Sequence, residues 1–546
     1  MQQEKGKIKY LKGAAILAAA SIFVKIIGAV YKIPLFQDGV LGDEGAGDFQ
    51  VTYSVYTLIL TISTAGVPAA MSRLVSAAKA KDEKNLVKSY FKTAMPAFAL
   101  LGFFAMLLML LFADSFASVM NNTKAAPGIR VLAPAVFFAC IIAVYRGYAQ
   151  GYQNMIPTAI SQIVEVMSKT IFGITAALLL VNLGYDSPIV SAGAIVGVTI
   201  GLGLCIPLLF LQKRRLDKQL YDSNDEVNTD TARHTKLSVL AKVMKVSIPI
   251  TLSASFMSIM VVIDNSIVLG RLQSALSMSE VEARGLFGMY SRALAIYNLP
   301  PSLVIPVSIS IIPAIAAARA KLNSHEAKDI MQSSVKLVNL IAMPAAFGLM
   351  VLASPVLTAL YNDQRELTAN IMIILGASSF FVCLQYVTTA VLQANGYERV
   401  ALYTFPVGAL LKIFLAWFLA GHPDFGILAS PIGTLVCFST ISVLNIIIIK
   451  TKIKDGRPEF LKIFAGSILN SSAMAGVIFA VNTFLNIFVS GKIGSPRFEA
   501  VVFLSITIFI GIVVYGMLAI ITRTITKEDI KLIPKGDKLA KILKVR

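Results

Sequence analysis

Among the basic side chains inside, or at the edge of, apolar runs in this chain, six stand out: Lys25, Lys32, Arg130, Lys169, Arg292 and Lys412. An ammonium group at the centre of a lipid-exposed helix costs at least about 2.5–3.5 kcal/mol on insertion scales, so each needs water or an anion opposite it. Lys25 and Lys32 are two helical turns apart and project from nearly the same face. Lys25 falls roughly 21 Å along its helix, and Arg292, entering from the other side, about 9 Å down, close to the same level. Lys169 and Lys412 are each about 18 Å in, near the midplane. Arg130 sits at a helix edge and can reach the headgroups. The buried excess is positive, so the expected cargo is anionic, and clustered basic groups suit phosphate or pyrophosphate.

Each of these residues also has a purely structural reading. Glu165 precedes Lys169 by four residues on one helix face, so the two can form a neutralised pair that needs no ligand. Lys32 can snorkel to the outer interface. Lys25 and Arg292 have no carboxylate three or four residues away, which favours a binding role. Asp264, late in the seventh span, either pairs with one of them or holds a coupling cation. From Ala295, just after Arg292, the chain reads AIYNLPPSLVIPVSISIIP, with Pro300, Pro301, Pro306 and Pro313. Each proline removes a backbone donor and invites a kink or break, as in the discontinuous helices of alternating-access carriers. Kinks needed only for packing are the alternative.

These residues must be positioned by membrane helices. Of 546 residues 56% are hydrophobic and only 14% charged, and the mean hydropathy is +0.74. Long apolar runs recur throughout, which predicts an all-α integral membrane protein and excludes the alternating strands of a β-barrel. Fourteen spans are expected, near 11–34, 49–70, 91–112, 129–148, 157–181, 188–212, 246–270, 286–314, 336–360, 368–392, 400–420, 426–449, 460–488 and 498–521. The net charge of +19 collects in alternate loops, which is orientation information rather than a nucleic-acid surface. It predicts a multi-pass membrane protein with both termini cytoplasmic. The N-terminal run resembles a signal peptide, but its internal lysines predict an uncleaved first helix. Cys140, Cys205, Cys383 and Cys437 fall in apolar spans and read as small buried hydrophobes. His234, His325 and His422 lie far apart, so no metal site is expected.

The polar stretch 213–245 divides the chain. The expected organisation is a bundle of six helices over 1–212, a cytoplasmic linker over 213–245, and a second six-helix bundle over 246–450. Two more helices over 451–525 and a basic tail over 526–546, attracted to membrane lipids, complete it. The halves echo each other: AAKAK then AMPAF in the first, AARAK then AMPAAF in the second. Gln150 precedes Lys169 by 19 residues, as Gln393 precedes Lys412. Corresponding elements fall on the same side, which predicts an internal parallel repeat.

Three stretches are recognisable: YRGYAQGYQNMIPTAISQIVEVMSK, LGDEGAGDFQ with ISTAGVPAAMSRLVS, and LQANGYERVALYTFPVGALLK. Together they resemble the polysaccharide-biosynthesis, MurJ–SpoVB-like branch of the multidrug/oligosaccharidyl-lipid/polysaccharide (MOP) exporter superfamily. The resemblance implies a V-shaped fold of fourteen helices in two bundles that flips an undecaprenyl-pyrophosphate-linked sugar, foremost lipid II for peptidoglycan synthesis, to the outer leaflet by alternating access. It matches Lys25, Asp48 and Arg292 to charged residues of the family's first, second and eighth helices. An arginine of the family's second helix has no counterpart near Thr61, and Lys32 is offset by one. Lys25, Arg292 and Lys32 would hold the pyrophosphate, with Asp48, Glu165, Lys169 and Lys412 lining or bracing the cavity. No cofactor or covalent chemistry is implied, and no GxxxxGK[ST] phosphate loop is present. Energy would come from a Na+ or H+ gradient or the membrane potential, with cell-wall synthesis machinery as the partner. The competing readings are an exporter of another lipid-linked polysaccharide or sporulation precursor, a drug/cation antiporter, a membrane glycosyltransferase and a non-transporting scaffold.

Overall fold

The computed structural model describes residues 19–81, 83–221, 235–320, 324–453, 458–489, 491, 496–522 and 524. Every regular element among them is helical. In the first half those of eight residues or more are α1 (19–30), α2 (Gly42–Thr64), α3 (Val67–Ala80), α4 (Lys84–Leu111), α5 (Ala126–Gly151), α6 (Ile156–Asn182), α7 (Ser187–Tyr221) and α8 (Lys236–Ser274). Then come α9 (Glu280–Tyr297), α10 (Leu299–Ala320), α11 (Ser324–Val351), α12 (Ala353–Tyr361), α13 (Glu366–Ala394), α14 (Ala401–Ala420), α15 (Ala429–Lys452), α16 (Phe460–Phe488) and α17 (Pro496–Ile521). Proline opens the first turn of α3, α5 and α6, where no backbone donor is lost. All four cysteines are buried and unbridged.

Twelve helices among the described residues are long and apolar enough to cross a membrane. Two of the fourteen expected spans are not in that set. The first, 11–34, lies partly outside the described residues; from residue 19 it is helical to 30, followed by the short helix Lys32–Leu35. The eighth, 286–314, is two helices rather than one, α9 and α10, with a break at Asn298. The cause is local: Pro300 and Pro301 have no N–H for the carbonyls of Ile296 and Tyr297. The middle of the polar stretch, 222–234, and the basic tail from 525 on fall outside the described residues.

The chain forms two compact units, Met1–Gly288 and Met289–Arg546, and the divide falls inside α9 rather than in the polar stretch 213–245. In the first unit α6 and α7 pack along their length, α5 packs on α3, α4 and α7, and α2 lies across α5 and α8. α8 therefore belongs with the helices that precede the polar stretch. Its Ser247 carbonyl comes so close to Gly66 that a Cβ there would stand 2.1 Å away, and Thr251 Oγ1 accepts from the Gly66 N–H at 3.0 Å. In the second unit α13 is central, flanked by α10, α11 and α15, while α16 and α17 pair with each other and reach the rest through α11 and α12.

Candidate anion-binding site

In the first unit, α1, α2 and α6 bring basic and aromatic side chains together. Ser21 Oγ on α1 lies 3.4 Å from Gln162 Oε1 on α6, which fastens the two helices. Phe49 and Tyr53, one turn apart on α2, present stacked rings with centroids 5.9 Å apart and planes 7° from parallel. The Lys169 ammonium sits 4.7 Å from the Tyr53 ring centroid and 4.5 Å from that of Tyr31, and donates to the Tyr53 hydroxyl at 3.4 Å. The Lys32 ammonium lies 5.6 Å from the Phe49 centroid and 5.7 Å from that of Phe36. Both are within the range at which an aromatic face attracts a cation. The two lysines therefore occupy the adjacent rings of one stacked pair, where like charges repel. Lys25 is exposed on α1.

Among the described residues, none of Lys25, Lys32 and Lys169 has a carboxylate within salt-bridge distance. Glu165, one turn before Lys169, is held instead by Arg146 of α5: NH2 donates to Glu165 Oε2 at 2.9 Å, and Nε donates to Ser161 Oγ at 2.9 Å. The intrahelical Glu165–Lys169 pair considered from the sequence is thus replaced by an interhelical Arg146–Glu165 pair. A planar guanidinium can meet two acceptors one turn apart, which an ammonium on a flexible stem cannot do with equal order. Such an arrangement, two or three uncompensated cations over an aromatic floor, attracts a multiply charged anion and offers rings for a sugar to stack on.

Asp48 has a different setting. It is buried near the start of α2, where Arg284 of α9 donates Nε to Oδ1 at 2.7 Å and NH2 to Oδ2 at 2.6 Å, and Asn122 Nδ2 donates to Oδ1 at 3.0 Å. Glu44 adds a second carboxylate 3.4 Å from Arg284. Two glycines let the backbones meet: a Cβ on Gly47 would stand 2.5 Å from the Arg284 carbonyl, and one on Gly288 1.8 Å from that of Asp43. Arg130, set aside as an edge residue, pairs with Asp114.

Against known proteins, residues 10–319 match the family described as polysaccharide biosynthesis protein. The chain belongs to that family. Within it the relatives are of the MurJ–SpoVB-like branch of the MOP superfamily. An uncharacterized membrane protein, YabM, of Bacillus subtilis (strain 168) is 27% identical over 98% of this chain and 97% of its own. The lipid II flippase MurJ of the same organism is 25% identical over 74% of this chain and 76% of its own. The organism's stage V sporulation protein B is 23% identical over 97% and 98%. Among solved structures, lipid II flippase MurJ in an inward closed conformation superimposes with a TM-score of 0.68 at 17% identity, covering 93% of this chain and 98% of that one. An inward-facing multidrug resistance MATE family transporter of the MOP superfamily gives 0.60 at 15%, covering 84% and 98%. Both share the fold.

The second unit of this family member holds the remaining sequence-predicted residues. Arg292 is fully buried, its NH1 3.4 Å from Asp363 Oδ2 and its guanidinium 5.7 Å from the Tyr361 ring centroid. Asp363 is gripped in turn by Arg365, whose Nε, NH2 and backbone N–H all donate to it at 2.6–3.1 Å. Burial alone would push the Asp363 carboxyl up, but these hydrogen bonds and the Arg365 charge hold it below the ordinary carboxylate value. Lys412 is half-buried on α14, its stem laid against Gly433 of α15, where a Cβ would stand 3.1 Å from Lys412 Cγ. Asp264 and Asn265 are buried side by side on α8 of the first unit. Pro300 and Pro301 are buried at the start of α10, with Pro306 half-buried inside it.

Arg146, Arg284 and Asp363 escaped the sequence reading. Arg146 carried a signal, a guanidinium two residues from the end of an apolar span, that the run of tyrosines and glycines around it disguised. Arg284 and Asp363 lie just outside the apolar runs, where a charge looks solvated.

Proposed function

We propose that this protein is a flippase for a lipid-linked oligosaccharide, with lipid II as its cargo and the pyrophosphate held by Lys25, Lys32 and Lys169. The observation that carries the reading is the pair of ammonium groups on the Phe49 and Tyr53 rings, neither with a salt-bridge partner among the described residues. The charged head enters the protein while the polyprenyl tail stays in lipid, and release of the head on the other side completes the transfer. Asp48 braces the site from its pair with Arg284.

In the same proposal the two missing spans bring the crossings to fourteen, arranged as a duplicated six-helix bundle with both termini in the cytoplasm. The break before Pro300, Pro301 and Pro306 acts as the hinge, and Asp264 couples transport to a Na+ or H+ gradient. Relatives with flippase names support this reading, as does the family match. The fold shared with multidrug transporters supports a second one, a cation antiporter using Asp264.

The deciding experiment is depletion of the protein in its native cell, with identification of the lipid-linked intermediate that accumulates on the inner leaflet. Lipid II is the expected species. Lys169→Ala and Lys32→Ala are expected to abolish transfer while inserting normally. If both transport at the wild-type rate in a leaflet-accessibility assay while Asp264→Asn does not, the antiporter reading replaces this one.

A further inference from the structure

Ser161, Glu165 and Lys169 recur every four residues along one face of α6. A glutamate four residues before a lysine is the favourable order for an intrahelical ion pair. Left alone, α6 would neutralise its own lysine. It does not, because Arg146 from α5 spans the preceding turn, taking Ser161 Oγ and Glu165 Oε2 at 2.9 Å each. Among the described residues, Lys169 is left with phenol and ring contacts: the Tyr53 hydroxyl at 3.4 Å and two aromatic faces within 4.7 Å.

We propose that Arg146 is a positioning residue of the anion site, one that occupies Glu165 so that the Lys169 ammonium stays available to a phosphate-bearing headgroup. The inference rests on the flippase reading for the identity of the anion, but the competition for Glu165 does not. Charge arithmetic sharpens it. Lys32, Arg146 and Lys169 set against Glu165 leave two positive charges, and the geometry assigns both to the lysines that face the rings. Removing Arg146 loses one charge from the group and hands Glu165 to Lys169, so of the two lysines on the rings only Lys32 would remain uncompensated. Removing Arg146 and Glu165 together restores two free lysines and the same net charge.

The test uses the full-length protein purified in detergent, with two readouts. The first is acetylation of Lys169 by limiting acetic anhydride, read by mass spectrometry, because an amine locked in an ion pair is a poorer nucleophile. The second is titration with inorganic pyrophosphate. Arg146→Gln is expected to lower Lys169 acetylation several-fold and weaken pyrophosphate binding about tenfold, the factor that about 1.4 kcal/mol gives. Arg146→Gln with Glu165→Gln is expected to return both to near the wild-type values, a rescue that a merely structural arginine would not show. Unchanged acetylation in Arg146→Gln overturns the proposal. Acetylation that moves as expected, with pyrophosphate binding the same in every variant, overturns the anion reading and leaves the competition for Glu165 supported. Should Arg146→Gln fail to fold, Glu165→Gln alone decides: it must bind pyrophosphate at least as tightly as wild type, and weaker binding overturns the proposal.

Discussion

Arg284 reaches Asp48 with both arms of its guanidinium, at 2.7 and 2.6 Å, in a setting where both side chains are almost wholly buried. A pair of this kind is expensive to break from one side, because the survivor is left as an uncompensated buried charge. Arg284→Ala is therefore expected to cost about 3–5 kcal/mol. Arg284→Met with Asp48→Leu should cost less than the single change, since no charge is stranded. Thermal unfolding of the detergent-solubilised variants measures both. A single variant as stable as wild type would mean that water or Glu44 already shares the load.

Asp363 sits in an electrostatic cradle made by Arg365 and Arg292. The Asp363 carboxyl is held below its ordinary value of 3.8 because hydrogen bonds and charge from Arg365 outweigh burial. A depressed folded-state value means the group contributes stability that is fully present above the unfolded value and is lost as pH falls through the folded one. Between pH 5 and 8 the contribution of Asp363 is thus expected to be flat. Below about pH 4 it should fade. Asp363→Asn should lower stability at neutral pH and lose this part of the acid dependence. A pH series of unfolding temperatures for both proteins checks it, and parallel acid limbs would remove Asp363 from the account.

Much of the helical pattern was legible in the sequence, for a physical reason. A chain in lipid must satisfy its backbone internally, so twelve helices announce themselves by apolar length alone. The break before Pro300 was legible too, because a missing N–H is a property of the residue itself. The site was only half legible. Lys32 and Lys169 could be found as charges in apolar runs, but the partner of Glu165 could not, since Arg146 approaches from another helix and no spacing encodes that. The same holds for Arg292, whose lack of a local carboxylate said nothing of Asp363, 71 residues away. Local periodicity reports the faces of one helix; which faces meet is decided by packing.

Tyr53 is the side chain on which Lys169 rests, by ring and by hydroxyl. The two contributions can be separated. Tyr53→Phe keeps the aromatic face and loses only the 3.4 Å hydrogen bond, so pyrophosphate binding is expected to change by less than about threefold. Tyr53→Leu removes the face as well and should let the ammonium move, with a loss of about tenfold. Equal losses in the two variants would assign the interaction to the hydroxyl alone.

The position of Lys169 depends finally on how closely α6 and α7 approach. α7 carries Gly193, Gly197 and Gly201 at four-residue spacing, and small residues at that spacing let membrane helices pack backbone to backbone. A Cβ on Gly197 would lie 2.6 Å from the Gly173 nitrogen and 2.7 Å from the Lys169 carbonyl, and one on Gly201 2.9 Å from the Glu165 carbonyl. These are backbone atoms, which cannot rotate aside as a side-chain tip does. Gly197→Leu is expected to force the helices apart at the turn that carries both Glu165 and Lys169, at a cost of about 1–3 kcal/mol. Gly476→Ala on α16, where nothing lies within 4 Å of the added carbon, should leave stability unchanged or slightly raised. Unfolding measurements compare the two, and pyrophosphate titration adds the functional half. Gly197→Leu should lose binding in step with stability, because the displaced turn moves Lys169 off the Tyr53 ring. A variant that keeps full binding would show that α6 and α7 can separate without disturbing the cations, and that α1 and α2 alone set their place.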